Sequence, residues 1–246
     1  MALFRTSNPA MNEKAFSREQ ALGPTMTLNG TVNKTGILLL LAAASAAWTW
    51  KIAAAQGPDA ALPWMMGGLF GGFIVSLIAI FVHRSTPITA PIYAVMEGLF
   101  LGGISMVLDK AYPGIAIEAV ALTFGVLFIM LTLYWTGIVR ATPALVRGVI
   151  MATGAIALLY LVGMVMNFIG HPLMFLYNSS PLGIGISIFV VIIAALNLIL
   201  DFGMIEQASQ TGAPKYMEWY GAFAIMVTLV WLYLEILRLL ARTRRR

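Results

Sequence analysis

Residues 182–203, LGIGISIFVVIIAALNLILDFG, form an almost uninterrupted apolar stretch whose single charged residue is Asp201. A helix of about 20 apolar residues, rising 1.5 Å per residue, crosses roughly 30 Å of hydrocarbon. The stretch lacks the alternation of polar and apolar residues that a membrane β-barrel strand requires. It therefore predicts a transmembrane helix that carries a carboxyl group.

Six further apolar segments accompany this one, and Pro, Gly or charged residues separate them, as is usual where helices end. They cover residues 35–55, 64–82, 90–108, 116–138, 145–169 and 217–240. The predicted fold class is all-α: a polytopic membrane protein built as a bundle of seven transmembrane helices.

These segments divide the chain into three parts. A polar N-terminal tail is expected over 1–33, a seven-helix transmembrane domain over 34–241 and a basic C-terminal tail over 242–246. The N-terminal tail lacks the apolar core that a secretory signal peptide carries near its start, so the first span is expected to be retained.

Composition agrees with a lipid environment. The chain is 60% hydrophobic and 10% charged, whereas a soluble domain is about 45–50% apolar and roughly 25% charged. The net charge of +5 comes mostly from tails and connections, where Lys and Arg set topology, so nucleic acid is not an expected partner. The expected partner is the lipid bilayer.

Soluble-enzyme signatures are missing from the sequence. No Walker loop, nucleophile elbow or HExxH motif occurs, and the absence of Cys excludes thiol chemistry and disulfides. His83 and His171, both in connections, make a poor metal site without Cys ligands. We therefore expect no catalytic residues, no resident metal, no cofactor and no enzymatic activity.

Orientation follows from the distribution of positive charge. One side would hold eight basic residues and the other two, which predicts a cytoplasmic N-terminus. The eight are Arg5, Lys14, Arg18, Lys34, Arg84, Arg140, Arg147 and Lys215, and the two are Lys51 and Lys110. The arginines of the last ten residues would then lie outside. Either the C-terminal tail is an exception, or one segment re-enters without crossing.

Ionisable side chains inside the predicted spans require an explanation, because each costs roughly 2.5–3.5 kcal/mol at the centre of a membrane helix. Glu97, Asp201 and Glu235 are the candidates for proton sensing and gating. Two carboxylates held close together titrate as a coupled unit, and a nearby Arg favours the charged form. The alternative is that these groups are neutral, hydrogen-bonded packing residues. Glu206 and Arg84 are weaker candidates, which ordinary interfacial charges would also explain.

Three stretches carry a resemblance to a known family. Trp231–Leu240, WLYLEILRLL, and Leu200–Ile205, LDFGMI, resemble the last two helices of the Bax inhibitor-1 family. Tyr93–Ser105, YAVMEGLFLGGIS, is similar to the third helix of a bacterial branch. The resemblance implies a pH-sensitive calcium leak in a bacterial inner membrane, with a role in stress tolerance. It also implies a pore closed by paired acids from the last two helices and latched by an arginine near the end of the second. Carried over, Asp201 is the first acid, Glu235 replaces the second and Arg84 is the latch.

The sequence departs from that scheme in spacing. Asp201 and Glu235 are 34 positions apart, which puts them about 10–20 Å apart in depth if both helices are straight. A surface helix over about 206–220 would reduce the difference. Glu97 has no counterpart in the scheme and is an alternative partner.

Two functions from different classes remain open. The first is a proton-regulated cation leak that binds Ca²⁺ and protons transiently. The second is a non-transporting adaptor that binds a membrane protein, such as a quality-control protease, through its helices or its polar tail.

Overall fold

The computed structural model describes residues 23–171, 173 and 178–245. These residues form seven long helices, each long and apolar enough to cross a membrane. They are α1 (Leu28–Gln56), α2 (Pro58–Phe81), α3 (Thr86–Ala111), α4 (Ile115–Trp135), α5 (Pro143–Phe168), α6 (Pro181–Gln210) and α7 (Met217–Arg244), with a 3₁₀ turn at His83–Ser85. The predicted all-α, seven-helix class is confirmed.

Several helix starts are fixed by side chains that accept hydrogen bonds from otherwise unpaired backbone N–H groups. The Thr27 hydroxyl accepts from Gly30 N at 3.0 Å and begins α1. Thr142 and Ser180 cap α5 and α6, each followed by Pro at the first helical position. Since these caps lie outside the apolar runs, the helices extend beyond the hydropathy-based ends.

Several helices extend beyond their predicted spans. Helix α1 begins at Leu28, seven positions before the predicted span, and α7 continues to Arg244. Helix α6 runs on to Gln210 and meets α7 through the short connection 211–216, so this fully described stretch forms no separate surface helix. Residues 1–22 of the predicted N-terminal tail, and Arg246, lie outside the described residues.

The two ends of the described chain lie on opposite faces of the bundle. The start of α1 meets the α6–α7 connection, where Met26 N donates to Ala213 O at 2.8 Å. We call this end the N-terminal face. At the other end, Arg244 donates to Pro113 O, in the α3–α4 turn, at 2.8 Å. We call this end the C-terminal face. The contacts agree with seven crossings and give no sign of a re-entrant segment among the described residues.

Helices α1, α2 and α3 pack through small residues, and we call them the glycine half. A Cβ built at Gly102 of α3 would lie 2.7 Å from Ala46 Cα of α1, and one at Gly98 would lie 2.9 Å from the Ala42 carbonyl carbon. Gly68 of α2 packs on the backbone of α3 in the same way. Small residues at four-residue spacing therefore hold these helices backbone to backbone.

Helix α7 lies at the centre of the protein. It contacts α1, α3, α4 and α6, while α5 packs along α6 at the outside. Of its most apolar stretch, 67% is buried, against 17% for α2 and for α5. Large apolar side chains such as Phe70, Trp135 and Phe168 remain exposed on the outer helices, which is the surface that a lipid environment covers. The chain is an integral, multi-pass membrane protein.

Candidate functional site

Asp201 is fully buried in α6, with 0% of its surface exposed. Thr228 of α7 faces it, and the Thr228 hydroxyl donates to Asp201 Oδ2 at 2.6 Å. A hydrogen bond to a buried carboxylate is one of the stronger polar contacts that a protein makes. Thr228 therefore meets Asp201 from the last helix with a hydroxyl group.

Glu235 is also buried, with 1% of its surface exposed, but it has different partners. The Tyr160 hydroxyl of α5 donates to both carboxylate oxygens at 3.0 Å. Arg238, one turn further along α7, lies 2.9 Å from Oε1. Arg238 also donates to the Tyr160 hydroxyl at 2.7 Å and lies over its ring.

The two acids therefore do not form the side-by-side pair that the resemblance implies. Thr228, the residue level with Asp201, precedes Glu235 by seven positions, which is about 10 Å of helix. This agrees with the depth difference expected from the spacing. The scheme that pairs Glu235 with Asp201 is replaced by two separate sites, one with Thr228 and one with Tyr160 and Arg238.

Buried polar side chains lie between and beyond these two sites. Asn197, one turn from Asp201 on α6, donates to the Thr153 hydroxyl of α5 at 3.0 Å. Arg242, 6% exposed, donates to Gly183 O at 2.6 Å and to Ser187 Oγ at 2.7 Å. We call α5, α6 and α7 the polar half. From Thr228 to Arg242 its polar side chains extend over fourteen positions, or about 21 Å, much of the hydrocarbon thickness.

Glu97 lies in the other half of the molecule. It is half-buried on α3, and a Cβ built at Gly72 of α2 would lie 3.1 Å from its Oε1. Tyr93, one turn earlier, is its polar neighbour and packs edge-on against Phe223 of α7 with ring centres 4.9 Å apart. Glu97 is therefore at the α2–α3 contact, away from the carboxyl groups of the polar half.

Arg84 lies in the 3₁₀ turn on the N-terminal face and is exposed. Its neighbours in sequence contact the start of α7. The His83 ring meets Tyr220 edge-on with ring centres 4.7 Å apart, and the Thr86 hydroxyl donates to Tyr216 O at 3.4 Å. The turn that carries Arg84 is thus held against α7 from both sides, on the face nearer to Asp201.

Glu206 is part of α6 and is half-buried. It accepts from the Tyr134 hydroxyl of α4, and Gln210 Nε2 donates to it at 3.3 Å. These contacts fasten α4 to the end of α6 and explain the residue as a packing group.

Sequence reasoning missed a further buried acid, Glu218, in the first turn of α7. It is 0% exposed and accepts from both Thr27 N and the Thr27 hydroxyl at 2.9 Å. Lys34 and Lys215 complete the cluster, Lys215 at 2.7 Å from Oε1. We call these four residues the clamp, because they fasten the start of α1 to the start of α7. The sequence signal for this contact was Gly30 in the first turn of α1. A Cβ at this position would overlap the Glu218 carboxylate, so the close approach of α1 to α7 requires glycine.

Comparison with known families gives one finding. A family model described as Bax inhibitor 1 like matches residues 8–245, nearly the whole chain. Searches of curated proteins and of solved structures give no match.

Proposed function

Since the chain belongs to the Bax inhibitor 1 like family, we propose that it is a proton-regulated cation leak, with calcium as the cation and Asp201 as the proton sensor. The observation that carries the proposal is the full burial of Asp201 between α6 and α7, hydrogen-bonded to Thr228. A carboxyl group is retained in a membrane interior only at a cost, and such groups commonly mark ion or proton pathways.

Protonation is the proposed opening step. While Asp201 is charged, its attraction to donors such as Thr228, and to Arg84 as the proposed latch, holds α6, α7 and the 3₁₀ turn together. A bound proton removes the negative charge and weakens these contacts, so the helices can move apart. The leak should therefore increase as the pH falls.

Calcium flux into liposomes that contain the purified protein tests this proposal. We expect the wild-type flux to rise between pH 8 and pH 6. Asp201→Asn, which keeps the shape but not the charge, should give the low-pH flux at every pH. Glu118→Gln is the control, because Glu118 is a half-exposed carboxylate paired with Arg244 on the C-terminal face. If Asp201→Asn shows the wild-type pH profile, Asp201 is not the proton sensor. If the protein produces no calcium flux at any pH, the leak function itself is wrong.

The proposed setting is a bacterial inner membrane with the N-terminus in the cytoplasm, and the proposed role is non-enzymatic and linked to stress. The C-terminal arginines are compatible with this orientation. Arg238 pairs with Glu235, Arg242 with Gly183 O and Ser187, and Arg244 with Glu118. These arginines make contacts within the protein. This supports treating the C-terminal tail as an exception to the rule that Lys and Arg concentrate on the cytoplasmic side.

A second candidate function is a non-transporting adaptor for a membrane protein partner. It is favoured by the attachment of residues 24–26 to the α6–α7 connection, which holds the start of the described chain at the N-terminal face. Deletion of residues 1–22 separates the two functions. A leak keeps its flux after the deletion, whereas an adaptor loses capture of its partner.

A further inference from the structure

Residues 24–26, directly before α1, lie across the α6–α7 connection on the N-terminal face, and we call them the strap. Thr25 pairs with Pro214 of the connection in an isolated antiparallel bridge. Two backbone hydrogen bonds flank the bridge, from Met26 N to Ala213 O at 2.8 Å and from Lys215 N to Pro24 O at 3.1 Å. This pattern makes Thr25 and Pro214 a non-hydrogen-bonded pair, so the bridge needs no N–H group from Pro214, and proline has none.

A buried side chain anchors the strap to the bundle. Met26 is 2% exposed and belongs to the main apolar core. Its carbonyl oxygen accepts from Ser209 Oγ, near the end of α6, at 3.4 Å. The next residue, Thr27, is part of the clamp and donates to Glu218 in the first turn of α7. The strap and the clamp together therefore join the end of α6 and the start of α7 to the start of α1.

The segment that the strap holds also contacts the 3₁₀ turn that carries Arg84. The Thr86 hydroxyl donates to the carbonyl oxygen of Tyr216, the last residue of the connection, at 3.4 Å. The His83 ring packs edge-on against Tyr220, one turn into α7. The α6–α7 connection thus has the strap on one side and the turn of the proposed latch on the other. Movement of the connection would therefore be transmitted to the turn.

We propose that the strap is an autoinhibitory contact. While it is bound, the α6–α7 connection and the Arg84 turn keep their closed arrangement, and its release opens the leak. The physical reason is that opening requires α6 and α7 to move apart, whereas the strap ties the joint between them to α1, which belongs to the glycine half. The inference rests on the proposed leak function and adds a means of controlling it, since anything that pulls residues 24–26 off the connection acts as an opener.

A disulfide across the bridge tests the strap directly. Residues of a non-hydrogen-bonded pair have Cα atoms about 4.5 Å apart, a distance that a disulfide can span, and the wild-type chain contains no Cys. In liposomes at pH 6, oxidised Thr25→Cys/Pro214→Cys should leak calcium several-fold more slowly than the same protein after reduction. Each single Cys variant is a control, because it cannot form the bridge and its flux should not respond to the reductant. Equal flux before and after reduction overturns the proposal, as does failure of the two Cys residues to pair.

Met26→Ala tests the opposite change, because it removes the side chain that anchors the strap. Amide hydrogen exchange over residues 83–86 should become several-fold faster, and the calcium leak at pH 8 should rise several-fold. Met151→Ala is the matched control, since Met151 of α5 is 69% exposed and lies far from the strap in sequence, and it should keep the wild-type exchange and flux. Unchanged exchange over residues 83–86 in Met26→Ala overturns the proposal. If the wild type shows no flux, the leak function is wrong, and hydrogen exchange still decides whether the strap controls the Arg84 turn.

Discussion

The glycine half and the polar half of the bundle are held together by different means. In the glycine half, Gly98 and Gly102 bring α3 against the backbone of α1. In the polar half, α5, α6 and α7 meet through buried side chains such as Asp201, Asn197 and Glu235. Backbone contact through glycine tolerates little movement, whereas polar contacts between helices respond to charge. In the proposed mechanism, the glycine half is therefore the scaffold and the polar half is the region that responds to protons.

The largest loss of stability is expected at the clamp, where α1 of the glycine half meets α7 of the polar half. Glu218→Ala removes the acceptor of Thr27, Lys34 and Lys215 and leaves their donors without it. Hydrogen bonds to a charged acceptor contribute about 1.5–3 kcal/mol each, and Glu218 accepts several of them, so the Tm in detergent should fall markedly. Glu118→Ala, which breaks an exposed pair, should cost less than about 1 kcal/mol. Equal losses would show that the clamp does not join the halves.

The next largest change in the free energy of unfolding is expected in the glycine half, where two Gly→Ala variants can be compared. Gly102→Ala places a Cβ against the backbone of Ala46 and should destabilise the protein by roughly 1–3 kcal/mol. Gly154→Ala, in α5, meets open space and should stabilise its helix by up to about 1 kcal/mol. Thermal unfolding in detergent measures both. The same sign for the two variants would contradict the backbone-contact account.

A change in stability of similar size, accompanied by a change in the pH dependence of the leak, is expected at Thr228. Thr228→Val keeps the side-chain shape but removes the donor to Asp201, at a cost of roughly 1.5–3 kcal/mol for a charged acceptor and less for a neutral one. Because the hydrogen bond favours the charged carboxylate, its loss should move the calcium leak to higher pH. Thr123→Val is the control, because the Thr123 hydroxyl donates to Ala119 O of its own helix, α4. An unmoved pH profile would contradict the pairing of Thr228 with Asp201.

The seven spans could be predicted because hydropathy over about 20 residues is a strong signal. The burial of Asp201 could also be predicted, because Asp201 lies within the apolar segment 182–203. Its partner could not be predicted, since Thr228 is one of several hydroxyl residues on an apolar helix and only the register of α6 against α7 selects it. Glu218 and Arg242 were missed for a related reason. Both lie near the ends of span seven, where a charge is usually solvated, and only the packing of other helices buries them.

The most direct test compares one acid from each half. Calcium flux into liposomes is measured from pH 8 to pH 6 for the wild type, Asp201→Asn and Glu97→Gln. If the polar half is the proton-responsive region, Asp201→Asn loses its pH dependence and Glu97→Gln keeps the wild-type profile. The reverse outcome, a flat profile in Glu97→Gln and a normal one in Asp201→Asn, would assign proton sensing to the glycine half and contradict the account.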